Sequence, residues 1–469
     1  MIGGRPRPNN AHSMAEITSY SRIEHLYRRP FEFVKRDRFL LVVLTLSLIV
    51  HLAILGDASP WDLSKAESVL LQGDAREYHY SAVGIASGDG LDAISPARTP
   101  GYSVFLGGFF VIFGGDNIWI PLIVQILINL TILLITYKMA FWVTGQIRIA
   151  RATSVLFGLS FISTFYATRI LSETLFTLIL LVVIISFVKG IQTKSIVLIG
   201  VSGTLLGIAT LIRPITQFYA VVPIIILIFS IGGGFKKISV AIIVFSVCNF
   251  LVLAPWFSHN QVKWGHFQLT TLQGQNALDY QASHTRSRVE GITVTEARER
   301  FSADIGEIEN PFDRSARQMQ EAVKYSIRHP IATGIVMLQG SIRMLAGTGQ
   351  NIVVTEILHI QKAEEPDSNQ GIKGRITGIV KSSPPSLAVA LLLVVKLLAE
   401  YSLMLVGGLL LVQRRSWLWL AVLVGTVVYF VMVAGPLGDA RFRVPLIPLF
   451  AIVSGIGYVW AAEKVRAFR

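Results

Sequence analysis

The stretch LSETLFTLILLVVIISFV, Leu171 to Val188, has one charged side chain, Glu173, near its start and is otherwise apolar apart from a few hydroxyls. An α-helix rises about 1.5 Å per residue, so roughly 20 such residues cross the hydrocarbon core of a bilayer. A helix that is apolar on all sides has no solvated face and needs lipid or a deep core around it. Runs of the same kind recur on either side of it, near residues 39–56, 117–137, 152–168, 195–212, 215–231, 238–257, 397–412, 417–437 and 444–462. The chain as a whole is 52% hydrophobic and only 15% charged, outside the range of soluble domains. These runs define an all-α polytopic membrane protein with about ten transmembrane helices.

Two further apolar stretches, 101–115 and 331–342, are short and are read as interfacial or re-entrant helices. With both termini on the cytoplasmic side, the inner segments collect Arg28, Arg29, Lys35, Arg36 and Arg38, then Lys138, Arg148 and Arg151, then Lys189 and Lys194. Lys236 with Lys237, Arg414 with Arg415, and Lys464, Arg466 and Arg469 follow the same pattern, as the positive-inside rule requires. Orientation therefore accounts for the net charge of +13, and no basic stripe calls for nucleic acid. The single cysteine, Cys248, lies in an apolar run and excludes an intrachain disulfide.

The expected organisation is a basic cytoplasmic tail (1–38), a transmembrane module (39–257) with a first loop on the far, or trans, side (57–116), a large trans loop after the seventh span (258–396), and C-terminal spans (397–469). Helical pieces are predicted in the large loop at Thr295–Phe301 and Ser315–His329. The tail and an uncleaved first span place the chain in the inner (cytoplasmic) membrane as a multi-pass protein.

Ionisable residues bordering apolar runs are the candidates for chemistry. In GDAREYHYSAVGIASGDG (73–90), helical spacing stacks Asp74, Glu77 and Tyr78 on one face. Asp74 followed by Glu77 is also the pattern of a capping box. Glu173 begins a span, where an acid suits the positive end of the helix. Topology puts both acids in the same leaflet, where they could share an acceptor hydroxyl or a divalent cation. Arg213 before Pro214, Arg441 and Arg443 lie on the trans side against the usual charge bias, and Arg98 can join them from the first loop. Guanidinium forks match phosphate oxygens. Lys396 and Glu400, four residues apart, read as a helical ion pair at the start of a span, or as the charged pair of a transport pathway.

Four segments in this order, Gly73-Asp74-Ala75-Arg76-Glu77-Tyr78, Arg98-Thr99-Pro100-Gly101-Tyr102, Leu171-Ser172-Glu173-Thr174 and Arg441-Phe442-Arg443-Val444-Pro445, resemble the GT-C membrane glycosyltransferases. The branch that looks most similar is that of the protein O-mannosyltransferases and aminoarabinose lipid A transferases. The resemblance implies a GT-C-like fold and transfer of a sugar, hexosyl or pentosyl, from a polyprenyl-phosphate carrier to a hydroxyl of a glycan, lipid or protein at the cell envelope, by inverting displacement on the periplasmic side. Carried over by position, Asp74 and Glu173 become the catalytic acids, and Tyr78, Arg98, Arg213, Arg441 and Arg443 the substrate and lipid-phosphate contacts. Asp74 is followed by Ala75 rather than a second acid, and Arg98 stands where some members have an acidic metal ligand. A cofactor is therefore left open: none, or Mg or Mn, with Glu77 and Glu173 as the candidate ligands. A secondary transporter or lipid flippase built on Lys396 and Glu400, and a polymerase or ligase of lipid-linked glycans, remain the alternatives.

Overall fold

Asp37 opens the first long helix by accepting the amide of Phe39. The computed structural model describes residues 37–114, 117–230, 234–349, 352–353 and 384–469, so the expected basic tail falls almost entirely outside the described residues. The helices, in order, are α1 (Arg38–Ala58), α2 (Leu63–Leu70), α3 (Asp74–Ser87), α4 (Pro100–Phe113), α5 (Trp119–Thr144), α6 (Ile147–Gly158) and α7 (Phe161–Ala167). Then come α8 (Glu173–Thr193), α9 (Ile196–Ile212), α10 (Val221–Ser230) and α11 (Phe235–Trp264). The region after α11 holds α12 (Leu272–Asn276), continued through a π-turn into α13 (Ser283–Glu290), then α14 (Val294–Ile305), α15 (Pro311–Arg328) and α16 (Pro330–Ala346). The chain closes with α17 (Pro384–Gln413), α18 (Trp417–Ala434), a 3-10 segment Ala440–Leu446, and α19 (Ile447–Phe468).

Among the described residues seven helices can cross a bilayer by length and apolarity: α1, α5, α8, α11, α17, α18, and α19 with the segment leading into it. An eighth crossing is made if α6 and α7, which meet at a 61° bend, count as one broken span. That is fewer than the expected ten, for a local reason. The runs at 195–212 and 215–231 fold as α9 and α10, both under 18 residues, because Pro214 ends helical hydrogen bonding after Ile212 and a 3-10 turn intervenes. The 101–115 and 331–342 stretches form α4 and α16, also too short to span. Both pieces predicted in the large loop are helical, within α14 and α15.

Lipid offers no hydrophobic drive between helices, so close contacts depend on small residues. Gly203 and Gly207 on α9, four residues apart, bring its backbone onto α11: a methyl group at Gly203 would collide with the Phe245 carbonyl, and one at Gly207 would stand 2.8 Å from that of Asn249. Gly407 on α17 and Gly457 on α19 meet in the same way, each facing the other helix's backbone at Val453 and Leu403. At the opposite end of the bundle from the candidate site, the buried Asp37 accepts from Tyr137 Oη at 2.6 Å and from Arg151 at 3.0 Å, tying α1, α5 and α6 together. These contacts fix the helices whose other ends carry the charged residues.

Candidate active site

Four separate pieces of chain bring acids and arginines to one end of the bundle, one of them the end of α9, which carries Arg213. The first is the loop between α1 and α5. Gly73 caps α3 in a backbone conformation with φ of +53°, and Asp74 is the first helical residue without capping the helix by its side chain. The capping-box reading of Asp74 is thus overturned: the carboxylate is taken by guanidinium groups rather than by free amides. Arg98 is placed by the chain just before it, since Thr270 Oγ1 donates to the Ala97 carbonyl at 2.8 Å and the Thr271 amide to that of Pro96 at 3.0 Å. Gly101 completes the placement. Its Cα lies against the end of α9, where an added Cβ would come within 2.7 Å of the Leu211 carbonyl, two residues before Arg213.

The second piece is the entry to α8, where Ser172 precedes Glu173 and the acid occupies the positive first turn of the helix. The third is the buried 3-10 segment Ala440–Leu446, begun by Asp439 accepting the Arg441 amide at 2.8 Å. Arg441 then joins the two acids. Its Nη1 donates to Asp74 Oδ2 at 2.6 Å and its Nε to Glu173 Oε1, while Arg213 Nη1 reaches that same Glu173 oxygen. Arg98 contacts Asp74 Oδ1 at 2.5 Å and Glu77 Oε2 at 2.7 Å. The side chain of Glu173 is fully buried, that of Arg213 is 10% exposed, and that of Asp74 is 33% exposed, so the cluster opens at the Asp74 side.

Aromatic rings wall the cluster. Arg98 lies over Tyr78, Arg441 over Tyr166, and Arg213 between Phe176 and Phe442, at 5.3–5.9 Å from the ring centres. The Tyr78 hydroxyl is 3.5 Å from Ser172 Oγ, which also accepts from Arg213 at 3.4 Å. Burial pushes the Asp74 carboxyl up, but Arg441 and Arg98 outweigh it and hold it down at about 2. Burial likewise disfavours charge on Arg98, and its neighbours Tyr78, Asp74 and Glu77 more than reverse that, raising its pKa. The cluster is therefore fully ionised at neutral pH on the Asp74 and Arg98 side.

Six of the predicted site residues, Asp74, Tyr78, Arg98, Glu173, Arg213 and Arg441, are thus neighbours, with Glu77 at the rim. Arg443 goes elsewhere. It donates to the carbonyls of Leu345 and Gly347 at the end of α16, where a cation satisfies the free carbonyls of a helix terminus. Lys396 and Glu400 pair at 2.7 Å, but not at a helix start: α17 begins at Pro384, with the diproline at its first turn, so the pair lies well inside the helix. A cavity lies beside it, lined by Leu156, Phe161, Leu393, Leu397 and Phe450, with Lys396, Glu400, Tyr401 and Arg443 on the polar side. Sequence reasoning did not single out Ser172 or Tyr166. Ser172 carried a signal, standing next to the acid at a helix start; Tyr166 carried none.

The overall arrangement of helices has a solved counterpart. The fold is shared with an oligosaccharyltransferase. The archaeal oligosaccharyltransferase AglB from Archaeoglobus fulgidus, in complex with an inhibitory peptide and a dolichol-phosphate, aligns with 93% of this chain at a TM-score of 0.50 and 11% identity. A second structure of the Archaeoglobus fulgidus oligosaccharyltransferase, tethered by a disulfide bond to an acceptor peptide containing the NVT sequon, aligns over 93% of the chain with a TM-score of 0.49 and 11% identity. The present chain spans about half of each, 52% and 51%. No family model matches the sequence, and no curated protein does. At this identity the likeness to the oligosaccharyltransferase is one of fold, and it agrees with the all-helical GT-C-like architecture expected from the sequence.

Proposed function

We propose that this chain is a membrane glycosyltransferase that moves a sugar from a polyprenyl-phosphate donor to an acceptor hydroxyl on the trans side of the inner membrane. The observation that carries the reading is the bridge between Asp74 and Glu173, two acids far apart in sequence, through Arg441, with Arg98 and Arg213 on either side. The fold likeness to an oligosaccharyltransferase agrees with it.

In this reading the acceptor oxygen attacks the anomeric carbon while the bond to the phosphate oxygen breaks, with inversion at that carbon. Asp74, at the open side of the cluster, orients the acceptor hydroxyl. A carboxylate with a pKa near 2 is a weak base, but a hydroxyl oxygen becomes strongly acidic as its new C–O bond forms, so transfer of its proton to Asp74 late in the step suffices. The departing phosphate takes the bonding electron pair, and guanidinium groups stabilise the charge that it gains. Arg98 and Arg441 border the opening and suit this role. Glu173, fully buried, keeps Arg213 and Arg441 in place. The cavity beside Arg443, with its Leu and Phe lining, suits an isoprenoid chain. The acceptor would be recognised by the trans helices α12–α16.

The test is transfer in proteoliposomes supplied with polyprenyl-phosphate sugars, read together with mass spectrometry of envelope glycans from cells with and without the protein. Asp74→Asn is expected to abolish transfer with normal expression and folding; transfer at the wild-type rate would end this reading. One observation favours a second: the Lys396–Glu400 pair lies inside a helix against a cavity, as charged pairs on transport pathways do. If alanine at both positions stops movement of a lipid across the bilayer while Asp74→Asn does not, the flippase reading replaces the first. A requirement for a diphosphate-linked glycan would instead point to a polymerase or ligase.

A further inference from the structure

Two acids facing a phosphate-bearing substrate raise the question of what cation joins them. A hard divalent ion such as Mg surrounds itself with about six oxygen donors at roughly 2.1 Å. Among the described residues no group of three or more acidic, His or Cys side chains is placed to hold one. The donors that exist are already engaged. Asp74 gives one oxygen to Arg98 and the other to Arg441, and Glu173 gives Oε1 to both Arg441 and Arg213. Of the four oxygens of Asp74 and Glu173, Glu173 Oε2 alone has no hydrogen-bond partner, and it is fully buried. Glu77, the third acid, gives Oε2 to Arg98 and contacts neither Arg441 nor Arg213 in any hydrogen bond or ion pair among the described residues. Three guanidinium groups around two carboxylates also repel an incoming dication. The residues present do not fit a resident metal.

We infer that Arg441 is the resident cation of this site: its guanidinium, donating through Nη1 to Asp74 and through Nε to Glu173, couples the two carboxylates in place of a divalent metal ion. This rests on the glycosyltransferase reading for its purpose, but not for its geometry. The planar fork sets the separation of the carboxylates as a metal would, and two features fix it. The Arg441 amide is held by Asp439, and two residues later Arg443 anchors the same buried segment to the end of α16. A lysine has one point of charge and no second donor at fixed spacing, so it cannot replace the bridge.

The experiment compares Mn2+ binding, by electron paramagnetic resonance, to the full chain in detergent or nanodiscs as wild type, Asp74→Asn, Glu173→Gln and Arg441→Ala. The same number of Mn2+ ions is expected on the wild type and on both acid variants, whereas Arg441→Ala, which releases two carboxylates, is expected to gain about one. An ion present on the wild type and lost from either acid variant overturns the inference. If Arg441→Ala does not fold, the comparison of wild type with the acid variants still decides. Where transfer is measurable, wild-type activity is expected to hold within about twofold after EDTA, while Arg441→Lys loses it without rescue by Mn2+ or Mg2+. Absence of transfer in every sample would sink the enzymatic reading and leave the binding comparison standing.

Discussion

Asp74 shows what a single side chain contributes here. Its carboxyl, held at about 2 against an ordinary 3.8, is stabilised as the anion in the folded chain. A depressed folded value means a contribution that is complete above the ordinary value and is lost as pH falls through the folded one. The difference in stability between wild type and Asp74→Asn is therefore expected to be constant from about pH 5 to 8, at no more than about 2 kcal/mol, and to shrink below about pH 4. Thermal unfolding in detergent across that range checks it, and a difference that grows on acidification would contradict the assignment. Glu173 is a different case, because removing one partner of a buried pair strands the others. Glu173→Gln is expected to destabilise the protein by about 3 kcal/mol or more, and a Glu173→Leu, Arg213→Met double variant to recover most of that stability without transfer activity. The acids and three of the arginines were legible in the sequence because charge beside an apolar run is costly and demands a reason. Arg443 carried the same signal but stands apart from the cluster, at a helix end that needs a cation as a phosphate does.

At the scale of elements, the glycines decide which helices touch. Gly203→Leu or Gly457→Leu forces a side chain into a neighbouring backbone and is expected to lower stability by about 2 kcal/mol or more, seen as a lower melting temperature in detergent, whereas Gly108→Ala, with open space at its Cβ, is expected to be neutral. Gly101→Val acts on the site instead: it pushes the start of α4 off the end of α9, separates Arg98 from Arg213, and is expected to cut transfer at least about tenfold with little loss of expression. Helix existence was readable from the apolar runs, since length and hydropathy are local properties. Helix ends were less so. Pro384-Pro385 starts α17 well before the run at 397, and that misplaced the Lys396–Glu400 pair at a boundary. The break between α6 and α7 at Leu159 and Ser160 changes direction by 61° without any proline, and Gly158 with Ser160 was its one cue in the sequence.

For the whole molecule, the expected sidedness can be tested directly. In a Cys248→Ser background, a cysteine at Glu299 in α14 is expected to react with a membrane-impermeant maleimide from the trans side, and one at Lys236, before α11, only after permeabilisation; the reverse result would invert the proposed orientation. Helices α12–α16 were visible in sequence only as fragments, because their cores are small and their charges are spent on pairs such as Arg286 with Glu290 and Asp304, a solvated pattern with no strong period. What the sequence could not convey is that a few residues serve both halves. The strap from Asp439 to Leu446 sends Arg441 one way, to the acids, and Arg443 the other, to the last carbonyls of α16. Any tilt of that outer helix, for instance under the weight of a bulky acceptor, is passed along a few peptide units to the guanidinium that spaces the carboxylates. The clustered carboxylates and the end of α16 thus share one tether, and loosening either end would be felt at the other.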